Sequence, residues 1–321
     1  MNDLHPGDEI LNRVLKRISA LYGVSQIECA KILGYFLGGK IKELQVLKGE
    51  KPSEYQRRVM RMFQGVKWRM IRRKIAILLT NVDIEAADLI NDALEEAFAA
   101  GFNESAYALA LTGIEMWPIT VPIVGKLTAE GVIKLNKRTL KKRKATVYNE
   151  ERAQSAVYSA IIRGIDPEKL RTQLAYSIAH ARQNETIASA RAIIYGASDT
   201  GAYYAGREAE RMGIDVEKTW LSIMDMRVRP SHKHLHGVTI PLDEKFKGYH
   251  GDLRYPHDPL APPAEIYNCR CRMAVHAAGK SPGEYSRSLL PTQTAAYKEW
   301  RDAQIRAAGS ELELMKLHRR R

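Results

Sequence analysis

The sequence predicts an α+β protein: a mostly helical N-terminal region, then a smaller C-terminal domain with helices and a short antiparallel sheet. Up to about Asn149, apolar residues recur at helical spacing with few β-branched alternations. Helical pattern returns from Glu150 to Met212, and only afterwards do Val216–Met224 and Asn268–Val275 take on the texture of strands. The length of 321 residues suits about two domains. A composition 45% hydrophobic and 27% charged is that of a globular chain able to bury a core without staples.

Asn2 or Asp8 caps a first helix, with Ile10, Leu11, Val14, Leu15 and Ile18 as its apolar stripe. Ser25 with Glu28 three residues on is a capping-box signature for a second helix, which bends or ends at Gly38-Gly39. Ser53 caps a third, whose apolar positions are Val59, Phe63, Val66 and Met70, then Ile71, Ile75 and Leu78. A fourth follows Asp83 and carries Ala86, Leu89, Ile90, Ala93, Leu94 and Ala97, until Trp117-Pro118 and Val121-Pro122 break the pattern. A helix over Glu150–Arg163 stops at Gly164. Asp166-Pro167, a cap with proline at the first helical position, opens another to about Arg182. A long helix then runs from Glu185 toward Gly213, its Gly196, Gly201 and Gly206 pointing to close approach of a neighbouring backbone. After the strand at Val216–Met224, a loop from Arg229 to Pro263 is rich in proline and histidine. It exceeds the roughly 15 residues a structureless loop rarely passes unless functional or pinned. A closing strand follows. The last forty-odd residues are polar, with a helical patch at Ala295–Ala307 and a basic end, Lys316 to Arg321, and read as a mobile or partner-docked tail. The expected divisions are residues 1–149, 150–277 and 278–321.

Lys and Arg number 50 against 37 Asp and Glu, a net charge of +13, and the pI is near 9.5. Such an excess favours polyanions, either nucleic acid or an acidic protein surface. No acidic residue occurs between Tyr55 and Val82, where Arg58, Arg61, Arg69, Arg72 and Arg73 fall; a second run contains Lys141, Lys142, Arg143 and Lys144. Both are candidates for phosphate contact or docking on an acidic partner. They also read as a solvated helix face and a charged linker. Three cysteines make no disulfide framework, so a reducing compartment is expected. No apolar run approaches the roughly 20 residues of a membrane span, and Met1–Glu9 lacks the basic start of a signal peptide.

The chemistry is concentrated between Trp220 and Cys271. Cys269 and Cys271 are two residues apart, which on a strand places both sulfurs on one face, and imidazoles precede them in the pinned loop. Thiolate and imidazole are zinc's preferred donors, and zinc is the candidate cofactor, in a structural role. The expected ligands are His232, Cys269 and Cys271, with Asp225 or His236 as the fourth. The alternative is that both cysteines are small buried hydrophobes with no ligand. Cys29, on an apolar helix face, reads as core.

Read in order, Trp220, Asp225-Met226-Arg227-Val228-Arg229, His232, Leu235-His236-Gly237, Pro256-His257-Asp258-Pro259 and Asn268-Cys269-Arg270-Cys271 resemble the phage Mu F-like minor head protein domain. This is the head-morphogenesis family of tailed bacteriophages. The resemblance covers roughly Glu150 to His276, and the closing four residues are its most specific part. The family often reads Ala-Arg-Thr-Glu in the preceding long helix. This chain has Ile187-Ala188-Ser189-Ala190-Arg191 instead, so no role for that glutamate carries over.

The resemblance implies a virion protein that binds the portal through the helical region 1–149 and acts in capsid assembly and DNA delivery; the net positive charge adds contact with double-stranded DNA without sequence preference. Its place would be the head interior or portal vicinity, and the host cytoplasm during assembly. Scaffold or major capsid protein are further partners it suggests; a membrane is not. A non-catalytic role is expected, since no His-Glu-x-x-His or paired-carboxylate set occurs in the histidine-rich loop. The alternative is a metal-dependent nuclease or a toxin-like transferase.

Overall fold

A computed structural model describes residues 5–38, 40, 42–164, 166, 169–280 and 294–320. Asn2, Gly39, Pro167 and Arg321, each given a role above, lie outside the described residues. The chain divides into two compact units that interleave along the sequence. Unit A is Met1–Val14, Ile90–Lys137 and Ala188–Arg321; unit B is Leu15–Leu89 and Arg138–Ile187. The α+β class holds: helices dominate, and among the described residues antiparallel strands occur only late in the chain.

Local helix signals are overridden at several points. α1 runs unbroken from Asp8 to Leu37, because the buried Ser25 hydroxyl bonds back to the Tyr22 carbonyl (2.8 Å) instead of capping a new helix. α2 (Pro52–Met62) is capped at Lys51, not Ser53; Pro52 takes the first turn and Glu54 accepts the Lys51 amide at 3.2 Å. The third expected helix is in fact two. The chain turns at Phe63–Gly65, where Phe63 turns inward against Trp68 (ring centroids 5.0 Å apart), before α3 (Val66–Asn91) begins. Asp83 caps nothing and lies fully buried inside α3. α4 (Leu94–Ala110) and α5 (Val121–Ala129) follow, and Pro122 sits in the first turn of α5. α6 spans Lys142–Arg163, starting a full two turns before Glu150. α7 spans Leu170–Arg211 as one helix of 42 residues; no Gly or Pro falls between Arg182 and Glu185 to divide it.

Unit B is helical. Its core packs Leu33, Phe36, Phe63, Trp68, Ile75, Val157 and Leu174, and Cys29 belongs to it, burial pushing that thiol up to about 12. Beside this core, unit B buries a polar knot. Asp83 accepts hydrogen bonds from Arg182 (2.8 Å), Asn149 (2.9 Å) and the Tyr22 hydroxyl, and Tyr22 also meets Thr186 at 2.9 Å.

Unit A holds the sheets. β1 (Val216–Leu221) is the central strand, antiparallel to β2 (Thr239–Pro241) on one side and β5 (Arg272–Ala277) on the other, with Trp220 opposite Met273. β3 (Phe246–Lys247) and β4 (Asp252–Leu253) form a separate ribbon. Between β1 and β2 lies α8 (Pro230–Leu235), and before β5 lies α9 (Pro263–Ile266). The glycines of α7 do admit a neighbour: a Cβ on Gly201 would sit 2.0 Å from the Phe98 carbonyl oxygen of α4. The described part of the tail is packed. α10 (Ala295–Ala308) and α11 (Glu311–Arg320) bury Tyr297, Leu314, Met315 and His318, the last three on one face of α11, and His318 reaches Glu208 at 3.2 Å. Composition alone reads this segment as loose because its apolar residues are few, though well placed. No helix among the described residues is long and apolar enough to cross a membrane.

Lys218 of β1 is fully buried, its amine donating to the carbonyls of Leu242 (2.7 Å) and Glu244 (2.6 Å). Burial holds its pKa down at about 8 from 10.5. The folded chain therefore gives up this proton before the unfolded chain does. Between those two values the unfolded state binds more protons, so stability rises with pH across that window and stays penalised below it. The expected gain is on the order of 3 kcal/mol. Urea unfolding at pH 7.5 and pH 10 should show a rise in the wild type that Lys218→Met lacks; equal rises in both would remove the assignment.

Candidate metal centre

Within unit A, α8 and the turn before β5 bring three donors together. His232 lies on the short helix α8, started by Pro230 at its first position and packed by Leu235 against Trp220 and Phe246. Cys269 and Cys271 precede β5 instead of lying on it, so they do not share a strand face. A turn aims them: Asn268 adopts φ +58°, in the left-handed region that asparagine tolerates, and the Cys269 amide bonds to the Ile266 carbonyl at 3.2 Å. All three side chains are buried, and their donor atoms lie within 4.8 Å of one another.

His232 Nδ1 is 3.4 Å from each sulfur. A tetrahedral ion with metal–sulfur bonds of about 2.3 Å and a metal–nitrogen bond of about 2.05 Å needs sulfur–nitrogen edges of about 3.6 Å. The group therefore suits zinc with only slight adjustment. Its other contacts support the same orientation. His232 Nε2 meets Glu265 Oε2 at 2.9 Å, leaving the Nδ1 lone pair directed at the sulfurs. Glu265 is itself fully buried, and its second oxygen accepts the His250 amide at 2.8 Å. Despite burial, the bonds from the His250 amide and His232 hold the Glu265 carboxyl below its ordinary range. The Cys271 amide donates to Cys269 Sγ at 3.3 Å. In the buried cysteine pair, burial drives Cys269 upward, whereas the hydrogen bond from Cys269 draws Cys271 strongly down, toward the thiolate that a metal requires.

The two expected fourth ligands stand outside this group. Asp225 is partly exposed and bonded to Arg270 at 2.7 Å, the contact that holds its carboxyl far below the usual range. His236 is exposed, and its Nδ1 accepts the Ser222 amide at 3.0 Å. Glu265, which orients the ligand histidine, carries no signal in the sequence: it lies in a proline-rich segment at no recognisable metal spacing.

A second buried group, His5, Asp199 and His257, also gathers in unit A. His257 Nδ1 is 2.8 Å from Asp199, and its Nε2 is 3.0 Å from the Cys269 carbonyl oxygen. His5 Nδ1 accepts the Gly7 amide at 3.0 Å, which places that ring's proton on Nε2, facing Asp199 at 3.4 Å. That approach is not a hydrogen bond and leaves His5 Nε2 without a hydrogen-bond partner among the described residues, so the group, set behind Cys269, is a second buried cluster whose donors could hold a metal.

All nine basic candidates lie in unit B, and so does the whole +13 excess: outside unit B, basic and acidic residues are equal in number. Arg58 is committed to its own unit, bonded to both Glu50 oxygens (2.7 and 2.8 Å) and to the Gln45 carbonyl (2.8 Å). Arg72 is half-buried against Gln154 at 3.0 Å, and Arg73 pairs with Glu150 at 2.6 Å while remaining 53% exposed. Arg61 and Arg69 are exposed. Lys141 is the N-cap of α6, and Lys142, Arg143 and Lys144 fill its first turn, all four exposed.

Residues 151–274 match the family described as Phage Mu protein F like protein. The chain is 21% identical over 290 residues to Minor head protein GP7 of Bacillus phage SPP1, covering 85% of this chain and 92% of that protein. It is 34% identical over 92 residues to the putative capsid assembly protein F of Escherichia phage Mu, 28% of this chain and 18% of that one. It is also 26% identical over 193 residues to an NAD(+)–arginine ADP-ribosyltransferase, EFV, of Enterococcus faecalis, 59% of this chain and 37% of that one. No solved structure matches.

Proposed function

From a chain related to the phage Mu F-like head proteins, we propose a minor head protein of a tailed bacteriophage that works by attachment, without catalysis. Unit B supplies the attachment surface, bearing on the portal protein and on packaged double-stranded DNA. Unit A supplies a rigid module pinned by zinc on His232, Cys269 and Cys271. The observation that carries the first part is the confinement of all net charge to unit B. The basic run at the start of α6 strengthens it. Four like charges at the positive end of a helix each cost about 0.3–1 kcal/mol, an arrangement an external anion would offset. Arg58 and Arg72 drop out of the proposed contact set because their guanidinium groups are bound internally. Arg61, Arg69, Arg73 and Lys141–Lys144 remain.

The enzyme alternative rests on the ADP-ribosyltransferase match, which aligns with 37% of that protein. Beside the metal group, the carboxylate of Glu265 is buried with both oxygens hydrogen-bonded, which suits holding the His232 ring better than general-base work. We therefore assign the protein to the virion, in the head interior or near the portal.

Co-expression with the portal protein of the same phage tests the reading. The expected result is a complex that survives gel filtration, and a portal ring that leaves this chain behind would overturn it. DNA affinity should fall steeply with salt and be indifferent to sequence. Replacing Arg143 and Lys144 by Ala should flatten the slope of log K against log salt by about 2. An unchanged slope would remove α6 from the DNA surface.

A further inference from the structure

The metal group contains three protein donors, and the space beside them shows where a fourth would enter. A cavity of about 20 Å³ is bordered by His232, Asn268, Cys269, Cys271, Arg227 and Arg229. That is room for one water-sized group. No further His, Cys, Asp or Glu joins the cluster among the described residues. Ser222 comes within 3.4 Å of Cys271 Sγ, but its proton goes to the His232 carbonyl (2.6 Å) and it accepts the Trp220 indole N–H (3.0 Å). It is a bracket for the loop, already saturated on the side facing the protein.

The cavity's charge is set by cations. The Arg227 side chain is 80% exposed, with Asp225 3.7 Å away, which puts this wall at the solvent boundary. Arg229 donates to the carbonyls of Ala264 and Tyr267 and so holds its positive charge fixed at the rim. Two thiolates neutralise a divalent ion, so the positive rim is left to favour a negative fourth ligand.

We propose that the metal held by His232, Cys269 and Cys271 keeps its fourth position open to one small exchangeable anion, admitted through the cavity rimmed by Arg227 and Arg229. This rests on the zinc reading above. It differs from a closed structural site, in which the protein fills every position. Exchange at this position needs no oxidant and moves no proton on the protein: one anion leaves as another binds.

Cobalt substitution of the full chain, with azide as the probe, tests it. Cobalt uptake near one per chain, with a sulfur-to-cobalt absorption band, reports the metal site itself. Added azide should then shift the visible ligand-field bands saturably. Arg227→Ala should weaken the apparent azide affinity several-fold without changing cobalt content. Cobalt bound with a spectrum indifferent to azide would overturn the open position while leaving the metal reading standing. A chain that takes up no cobalt would sink both.

Discussion

Arg182→Ala lowers the stability of unit B by about 3–5 kcal/mol, measured as a fall in the urea midpoint at unchanged slope. The reason lies in what remains behind. Asp83 is wholly buried on α3 and keeps its hydrogen bonds from Asn149 and Tyr22, but Arg182 is the cation bonded to it. Burial opposes a charge on Arg182, yet Asp83 beside it raises the guanidinium pKa further. Burial, Asp83's charge and its hydrogen bond together push the Tyr22 hydroxyl well above its ordinary value, so that ring remains a neutral donor. Tyr22→Phe removes one donor and leaves the ion pair, so its cost should be nearer 1–3 kcal/mol. Removing both Arg182 and Asp83 should cost less than removing Arg182 alone, because no unpaired carboxylate then stays buried. A double variant at least as unstable as Arg182→Ala would contradict this account.

That knot also shows why part of the fold was hidden in the sequence. Asp83 before an apolar run has the look of a helix cap, and Ser25 followed by Glu28 has the look of a capping box. In the folded chain both are interior to longer helices, because each finds a partner that ordinary caps lack: Arg182 from 99 residues away for Asp83, the Tyr22 carbonyl for Ser25. Local signals were reliable where no side chain found a competing partner, near or far, as at Gly164 and Gly213, which end their helices at positive φ. The glycines of α7 were legible for a related reason: absence of a side chain is a tertiary signal written in one residue. The interleaving of the two units was not legible, since it depends on which helices meet. Charge shows the same limit. The excess of basic residues is plain in the composition, but its confinement to unit B needs the fold, and so does the separation of the committed Arg58 from the exposed Lys141–Lys144. At the metal group, residue type alone brought out His232, Cys269 and Cys271, because thiol and imidazole are rare enough to stand out. Glutamate is common, and Glu265 becomes visible only when its oxygen lies beside an imidazole.

Purified protein should carry about one zinc per chain, and Cys269→Ser or Cys271→Ser should lose it together with at least about 3 kcal/mol of the stability of unit A. The expected fall in melting temperature is roughly 10 °C, given 2–4 °C per kcal/mol for a unit of this size. Without the ion, Cys269 faces burial as a thiol beside a depressed Cys271, and one imidazole nitrogen is directed at both sulfurs with nothing to bind them. Trp220 packs edge-on to His232 with ring centroids 5.1 Å apart, so its fluorescence should change when a chelator removes the metal and recover when zinc returns. Glu265→Gln separates orientation from ligation. It leaves all three donors in place but weakens the acceptor that fixes the His232 ring, so zinc affinity should drop by about 10–100-fold while saturation is still reached at higher metal. Competition against a calibrated chelator measures that ratio. An affinity equal to wild type would show that Glu265 is only packing. A metal-free wild type that melts as the cysteine variants do would mean that the two sulfurs are core atoms and no ion pins this loop.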